Sequence, residues 1–231
     1  MEKYLSLLSQ SDLFRGMSPE DILKMCSCLG CTVAEYRAET PIWLAGYPVE
    51  RAGIVLEGRV RAEYTTYGGQ QVVVAQQTAG RLFGDVLMSS ENGESPVDIL
   101  AAEDSVILFV PFARIMAACP QGNCCQCHDT LRTNLLREIS AKFWALQKKI
   151  RYLSAESLRG KIALYLLDNT DGGRVPLFDS RCSRDELASL LGVNRSALSR
   201  ELGRLQQEGV ISFFRSSFRL ENPAALTAMC Q

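Results

Sequence analysis

The sequence predicts an α+β fold in three consecutive parts: an N-terminal double-stranded β-helix, or jelly roll, then a long helix, then a C-terminal winged helix-turn-helix. Three observations predict it. Between Thr32 and Val110, short β-rich runs are punctuated by Gly46, Gly53, Gly58, Gly68-Gly69, Gly80, Gly84 and Gly93, the pattern of a double-sheet roll or a related barrel. Leu136, Ile139, Phe143, Leu146, Ile150 and Leu153 then recur at alternating three- and four-residue steps, the a/d spacing of a coiled-coil helix. Two short capped helical patterns follow between Ser183 and Leu205, and after them two aromatic and aliphatic runs around a polar turn.

Taken in order, Leu13-Phe14 begins a short segment, and Ser18-Pro19-Glu20 opens a helix with Ser18 as cap and Pro19 at its first position. The roll follows. The long helix is expected from about Asp129 to Leu153, with Ser154-Ala155-Glu156 as a hinge into a further helix whose apolar face is Leu158, Ile162, Leu166 and Leu167. Asp171-Gly172-Gly173 is a turn or loop. The expected domains are a β-roll with N-terminal helices over 1–128, a dimerisation helix over 129–153 and a winged helix-turn-helix over 154–231. A two-fold protein matches paired half-sites on DNA, which favours the apolar seam as a dimer contact over packing within one chain.

The C-terminal pattern is the most specific. Ser183 and Glu186 have the spacing of a capping box before Leu187, Leu190 and Leu191, and Gly192 stops that helix. Asn194 is placed to cap a second helix whose buried side carries Leu198, Leu202 and Leu205. Its opposite side is polar and begins with Arg195, Ser196, Ser199 and Arg200. A recognition helix reads base edges with its first turns, and the planar fork of arginine matches guanine O6 and N7. Ile211 to Phe214 and Phe218 to Leu220 flank Arg215-Ser216-Ser217, the sequence form of a β-hairpin wing. The candidate contacts to double-stranded DNA are Ser183, Asn194, Arg195, Ser196, Ser199, Arg200, Arg204 and Arg215.

The chain has 231 residues, 47% hydrophobic and 22% charged, enough apolar material for one large core or two small ones. No apolar run approaches the roughly 18 residues of a membrane span, and the N-terminus lacks the basic start and apolar stretch of a signal peptide. A cytoplasmic protein with no membrane partner is expected. The formal charge is -1, yet the stretch from Arg181 to Arg219 holds seven arginines and no lysine against Asp185, Glu186, Glu201 and Glu208. That local excess predicts salt-sensitive DNA binding through a restricted surface. No Walker-type loop, nucleophile elbow or dinucleotide fingerprint is present, so an enzyme is not expected. His128 follows Cys127 directly, but adjacent helical residues point about 100° apart, which argues against a catalytic pair.

Over nearly its whole length the chain resembles the cyclic-AMP receptor and fumarate-nitrate-reductase regulator family of bacterial transcription factors. The resemblance rests on Ile54-Val55-Leu56-Glu57-Gly58-Arg59-Val60, Gly80-Arg81-Leu82-Phe83-Gly84-Asp85, the long helix, and Ser183 to Ile211. It implies a cyclic-nucleotide-binding-like roll that senses a signal, and a homodimer formed through Leu136, Ile139, Phe143, Leu146, Ile150 and Leu153. Two recognition helices would then meet a palindromic operator, with RNA polymerase as a partner if the protein activates. The effector pocket it implies is built around Arg81, Leu82, Phe83, Gly84, Asp85 and Ser95.

Two positions depart from the family. Ser196 stands where many members carry a glutamate that accepts from a cytosine amino group, so an altered half-site is expected. Cyclic-nucleotide-binding members place an arginine beside a small hydroxyl residue after the Phe-Gly-Glu segment, whereas no arginine or lysine occurs here from Leu82 to Phe112. A cyclic phosphate would lack its charge-assisted partner, and cyclic AMP is not the expected effector.

Nine cysteines in a chain without a signal peptide favour free thiols, metal ligation or redox chemistry over structural disulfides. Cys26, Cys28 and Cys31 lie on or just after an N-terminal helix. Cys119, Cys124, Cys125 and Cys127 precede the long helix with His128, the single histidine. Cys119, Cys124, Cys127 and His128 form a candidate ligand set for zinc, an iron–sulfur cluster or haem, although their spacing matches no zinc-finger or ferredoxin pattern. The alternatives are unligated thiols with Cys26 as a small core residue, or a thiol redox switch. Beside the regulator stands a second functional class, a ligand- or metal-binding module that acts through protein partners.

Overall fold

After α1 (Leu5–Gln10), Ser18 opens the helix α2 (Pro19–Leu29), its hydroxyl accepting the Asp21 N–H at 3.1 Å with Pro19 in the first turn. Gly30 ends α2 in the left-handed region at φ 68°, a conformation that costs glycine little. The computed structural model describes residues 1–88, 93–117, 126–180 and 182–230. They divide into two units, Met1–Ala141 and Lys142–Gln231.

In the first unit the glycine-punctuated runs become β1 (Thr32–Tyr36), β2 (Pro41–Trp43), β3 (Arg51–Glu57), β4 (Arg59–Thr65), β5 (Gln71–Thr78) and β6 (Leu82–Phe83). The helix α3 (Asp85–Met88) and the strands β7 (Asp98–Ala101) and β8 (Ser105–Pro111) complete the roll. The strands pair antiparallel in two four-stranded sheets, ordered β1-β8-β3-β6 and β2-β7-β4-β5. Successive strands cross between the sheets, except for β4 and β5, which form a hairpin within one of them.

Alternation along β3 explains why its five central residues are all buried. Val55 faces inward to Val60, Phe83, Ile99, Ile107 and Phe109 between the sheets. Ala52, Ile54 and Leu56 belong to a second core with Leu8, Phe14 and Ile22 of the N-terminal helices. Gly53 has no side chain because Phe83, its partner across β6, fills the space: a Cβ there would lie 2.2 Å from the ring Cζ. Substitution by alanine would force a shift in a packed interior, at about 1–3 kcal/mol.

The short helix α4 (Phe112–Met116) leads to α5 (Gln126–Ser154), three residues longer at its start than the apolar spacing predicts. Leu131 and Leu135 of α5 are buried in the second core, and Asn134 donates to the carbonyls of Leu13 and Arg15 at 3.1 and 2.8 Å. Arg132 ties the same helix to α4 through the Ile115 carbonyl at 2.9 Å.

The second unit contains α6 (Leu158–Asp168), β9 (Leu177–Asp179), α7 (Arg184–Leu191), α8 (Arg195–Gln207), β10 (Ile211–Phe214), β11 (Ser217–Leu220) and α9 (Pro223–Ala228). Its core joins Leu187 and Leu191 of α7, Leu198, Leu202 and Leu205 of α8, Phe218 of the wing and Ile162 of α6. The α+β class and the order of parts are those the sequence predicts. The wing sheet is larger than expected, because β9 adds a third strand through Phe178 opposite Phe218. Among the described residues no helix is long and apolar enough to cross a membrane.

Candidate nucleic-acid interface

The two helices of the C-terminal motif are fixed at their ends by their own side chains. Ser183 accepts the Glu186 N–H at 3.2 Å while Glu186 accepts the Ser183 N–H at 2.7 Å, so two otherwise orphaned donors at the start of α7 are satisfied. At Gly192 the chain turns at φ 64°, and a Cβ would lie 2.6 Å from Leu153 Cδ2. Asn194 then starts α8 by accepting the Ala197 N–H at 2.8 Å, and the Ser196 hydroxyl donates to the same oxygen at 2.8 Å. Ser183 and Asn194 therefore act as caps, at the exposed entry of each helix.

Leu198, Leu202 and Leu205 are buried on one side of α8, Ser196, Ser199, Arg200 and Arg204 are exposed away from them, and Arg195 is exposed at the first position of the helix. Arg195 Nη1 meets Asp185 at 3.2 Å, a pair exposed on both sides. Arg204 Nη1 meets Glu201 at 3.2 Å. Arg200 makes no ion pair among the described residues and leaves its donors to solvent. An exposed ion pair is worth about 0–1 kcal/mol, so Arg195 can exchange Asp185 for a nucleic-acid acceptor at small cost.

Glu201 is the charged residue that the apolar spacing of α8 conceals. It is 9% exposed and takes Arg159 of α6 at 2.8 Å, while the rest of the Arg159 fork clasps Glu208 at 2.9 and 2.8 Å. These contacts hold the Arg159 guanidinium above its ordinary pKa, the Glu208 hydrogen bond first and the Glu201 bond second.

In the first unit, Leu82, Phe83, Asp85 and Ser95 are buried, and a Cβ on Gly84 would lie 2.7 Å from the Trp43 ring. The Ser95 hydroxyl donates to the Val97 carbonyl at 2.5 Å. Arg81 is exposed and pairs with Asp12 at 3.2 Å, not with the buried set. The roll interior is instead aromatic: Trp43 lies 5.1 Å from Phe83 and 5.9 Å from Phe109, ring centre to ring centre. Arg81, the cation nearest to this set in sequence, faces Asp12, and the Arg51 guanidinium lies 5.0 Å from the centre of the Phe109 ring.

Of the candidate metal ligands, Cys119 and Cys124 lie outside the described residues. Cys127 and His128 begin α5. His128 is buried and its Nε2–H donates to the Arg114 carbonyl at 3.2 Å, while Nδ1 has no hydrogen-bond partner among the described residues. No three potential ligands gather among the described residues. Along α5, Leu136, Phe143, Leu146, Ile150 and Leu153 are exposed, Phe143 at 52% and Leu146 at 57%. Ile139 is only partly buried and rests against the N-terminal core.

Residues 160–229 match the family model described as the Crp-like helix-turn-helix domain, and residues 33–121 match the cyclic nucleotide-binding domain. The cyclic AMP receptor protein of Thermus thermophilus is 29% identical over 219 residues, covering 94% of this chain and 95% of the relative. The fumarate and nitrate reduction regulatory protein of Salmonella typhimurium is 22% identical, covering 81% of this chain and 74% of the relative. Among solved structures, the catabolite activator protein of Thermus thermophilus superposes with a TM-score of 0.53 at 28% identity, covering 95% of this chain and 98% of that one.

Proposed function

Since the chain belongs to the cyclic-AMP receptor and fumarate-nitrate-reductase regulator family of DNA-binding transcriptional regulators, we propose that it is a cytoplasmic homodimer that reads a palindromic operator with α8. The observation that carries this reading is the start of α8, where the exposed Ser196, Ser199 and Arg200 lie away from a leucine-filled inner side and the exposed Arg195 occupies the first position. Its first turns present arginine donors to base edges, and exposed serines suit phosphate and base acceptors alike. Arg204 and Arg215 add positive charge along the same unit.

The dimer forms through the exposed side of α5. Leu136, Phe143, Leu146, Ile150 and Leu153 present apolar area to water in one chain, and a second copy removes it. The effector is a small molecule, a metal or a redox signal other than cyclic AMP. The roll interior is lined by aromatic rings, with the Arg51 guanidinium over Phe109 at 5.0 Å, and no arginine or lysine occurs from Leu82 to Phe112, which favours a ligand other than a cyclic phosphate. Residues 119–128 join the roll to α5, so ligation or oxidation of Cys119, Cys124, Cys127 and His128 would act on the dimer helix directly. RNA polymerase is the further partner where the outcome is activation.

Selection of duplexes from a random pool by the purified chain, followed by gel retardation across a salt series, tests the reading. Enrichment of a two-fold symmetric sequence and a steep salt dependence are expected. Retardation of no duplex would overturn it. Metal content and the absorption spectrum of protein purified without oxygen test the cysteine segment, with a stoichiometric metal expected if that segment is the sensor.

A further inference from the structure

The turn of the wing is held from two sides. Arg215 and Ser216 connect β10 to β11, with Phe214 paired to Ser217. Arg215 takes a left-handed φ of 54°, where a hairpin of this length favours glycine. An arginine kept in that conformation must be held there by its surroundings. The Ser180 N–H donates to the Ser216 carbonyl at 2.8 Å, and the Arg184 guanidinium donates through Nη2 to the Arg215 carbonyl at 2.9 Å. The Ser217 hydroxyl is bonded to Asp179 beside them.

Arg184 makes a second kind of contact. Its guanidinium lies 4.9 Å from the centre of the Phe213 ring and 4.7 Å from that of Phe218, one ring from each wing strand. Burial lowers its pKa from the ordinary value, and no carboxylate pairs with it among the described residues. Because Arg184 is the first residue of α7, these contacts tie the wing turn to the opening of the helix-turn-helix. Arg215 points the other way: its own guanidinium rests 5.5 Å from the exposed Phe214 ring and is open to solvent.

We propose that Arg184 is a positioning residue for DNA binding, which clamps the wing turn so that the Arg215 side chain meets a backbone phosphate of the duplex while α8 occupies the major groove. The inference rests on the regulator reading of α8. A planar guanidinium can lie against rings and donate in its own plane at once, which the ammonium of lysine cannot do. A turn ordered before binding loses less freedom on binding, so the clamp raises affinity without touching DNA. A contact to phosphate is independent of sequence, whereas contacts from α8 are not.

The test measures fluorescence anisotropy of a labelled duplex that the wild-type chain has selected from a random pool, and of a random-sequence duplex, across a salt series. Wild type is compared with Arg184→Ala, Arg184→Lys, Arg215→Ala and the double variant Arg184→Ala/Arg215→Ala. Arg215→Ala is expected to weaken binding about three- to tenfold on both duplexes and to lower the salt slope by about one per chain. Arg184→Ala should give the same loss and slope change, and the double variant no further loss. Arg184→Lys should follow Arg184→Ala, and it carries the comparison alone if circular dichroism shows that the alanine variant does not fold. Losses that multiply in the double variant, or an Arg184→Lys chain that binds as wild type, would overturn the clamp. A wild-type chain that selects no duplex would instead overturn the regulator reading itself, and this inference with it.

Discussion

Glu201, on the inner side of α8, receives the Arg159 guanidinium of α6 at 2.8 Å. The bond joins α8 to α6 of the same unit, and it does so with a carboxylate that is nearly buried. Removing Arg159 would leave that carboxylate with only the exposed Arg204. Arg159→Ala should therefore lower the unfolding free energy by about 1.5–3 kcal/mol, read from the urea midpoint at unchanged slope. An unchanged midpoint would show that the pair contributes nothing.

Acid should loosen the same unit in a defined direction. The Ser183 backbone N–H holds the Glu186 carboxyl below its ordinary value of 4.5, and the Arg159 hydrogen bond does the same for Glu208. A carboxylate whose folded pKa is depressed adds stability above the unfolded value and loses it as pH falls through the folded one. Thermal midpoints should thus be flat with respect to these groups above about pH 5 and decline below about 4.5. Glu186→Gln/Glu208→Gln should flatten that decline; an identical acid profile would remove both groups from the account.

The features legible in the sequence are the local ones. Ser183 with Glu186, Asn194 before a polar-faced helix, and Gly192 between them are decided within four residues, because caps and left-handed turns depend on neighbours along the chain. The apolar spacing of α5 is legible too, but not what each residue meets: Ile139 rests on the N-terminal core while Phe143, one turn on, is exposed. β9 was hidden because a three-residue strand has no periodicity of its own, and Phe178 finds its place only opposite Phe218, 40 positions away in sequence. Arg184 escaped for the same reason, since its partners are Phe213, Arg215 and Phe218.

Arg200 and Arg195 should differ in how they engage DNA. Arg200 is uncommitted, so Arg200→Ala should cost about 1–3 kcal/mol on the selected duplex and relax specificity at one position of each half-site. Arg195 must first leave Asp185, and Asp185→Ala should tighten binding by up to about 1 kcal/mol through its release. Titration of a panel of single-base variants of the selected duplex checks both. Equal loss on every variant would reassign Arg200 to a phosphate.

Cyclic AMP should produce no saturable heat in calorimetry up to about 1 mM ligand, an affinity limit near -4 kcal/mol. The reason is the stretch from Leu82 to Phe112 without a cation, and Arg81 held by Asp12. Placing an arginine at Pro96, beside Ser95, is the converse probe. Micromolar binding to the wild-type chain would contradict the absence of a phosphate partner.

Two chains, joined through α5, are expected to read one duplex with their α8 helices. Sedimentation velocity of the labelled selected duplex with the wild-type chain and with Phe143→Glu measures this directly. Two wild-type chains per duplex are expected, and for Phe143→Glu a free monomer whose DNA affinity falls by at least about 100-fold, because a like-charged pair would have to be buried in the seam. One wild-type chain per duplex, or a Phe143→Glu chain that stays dimeric and binds fully, would contradict this arrangement.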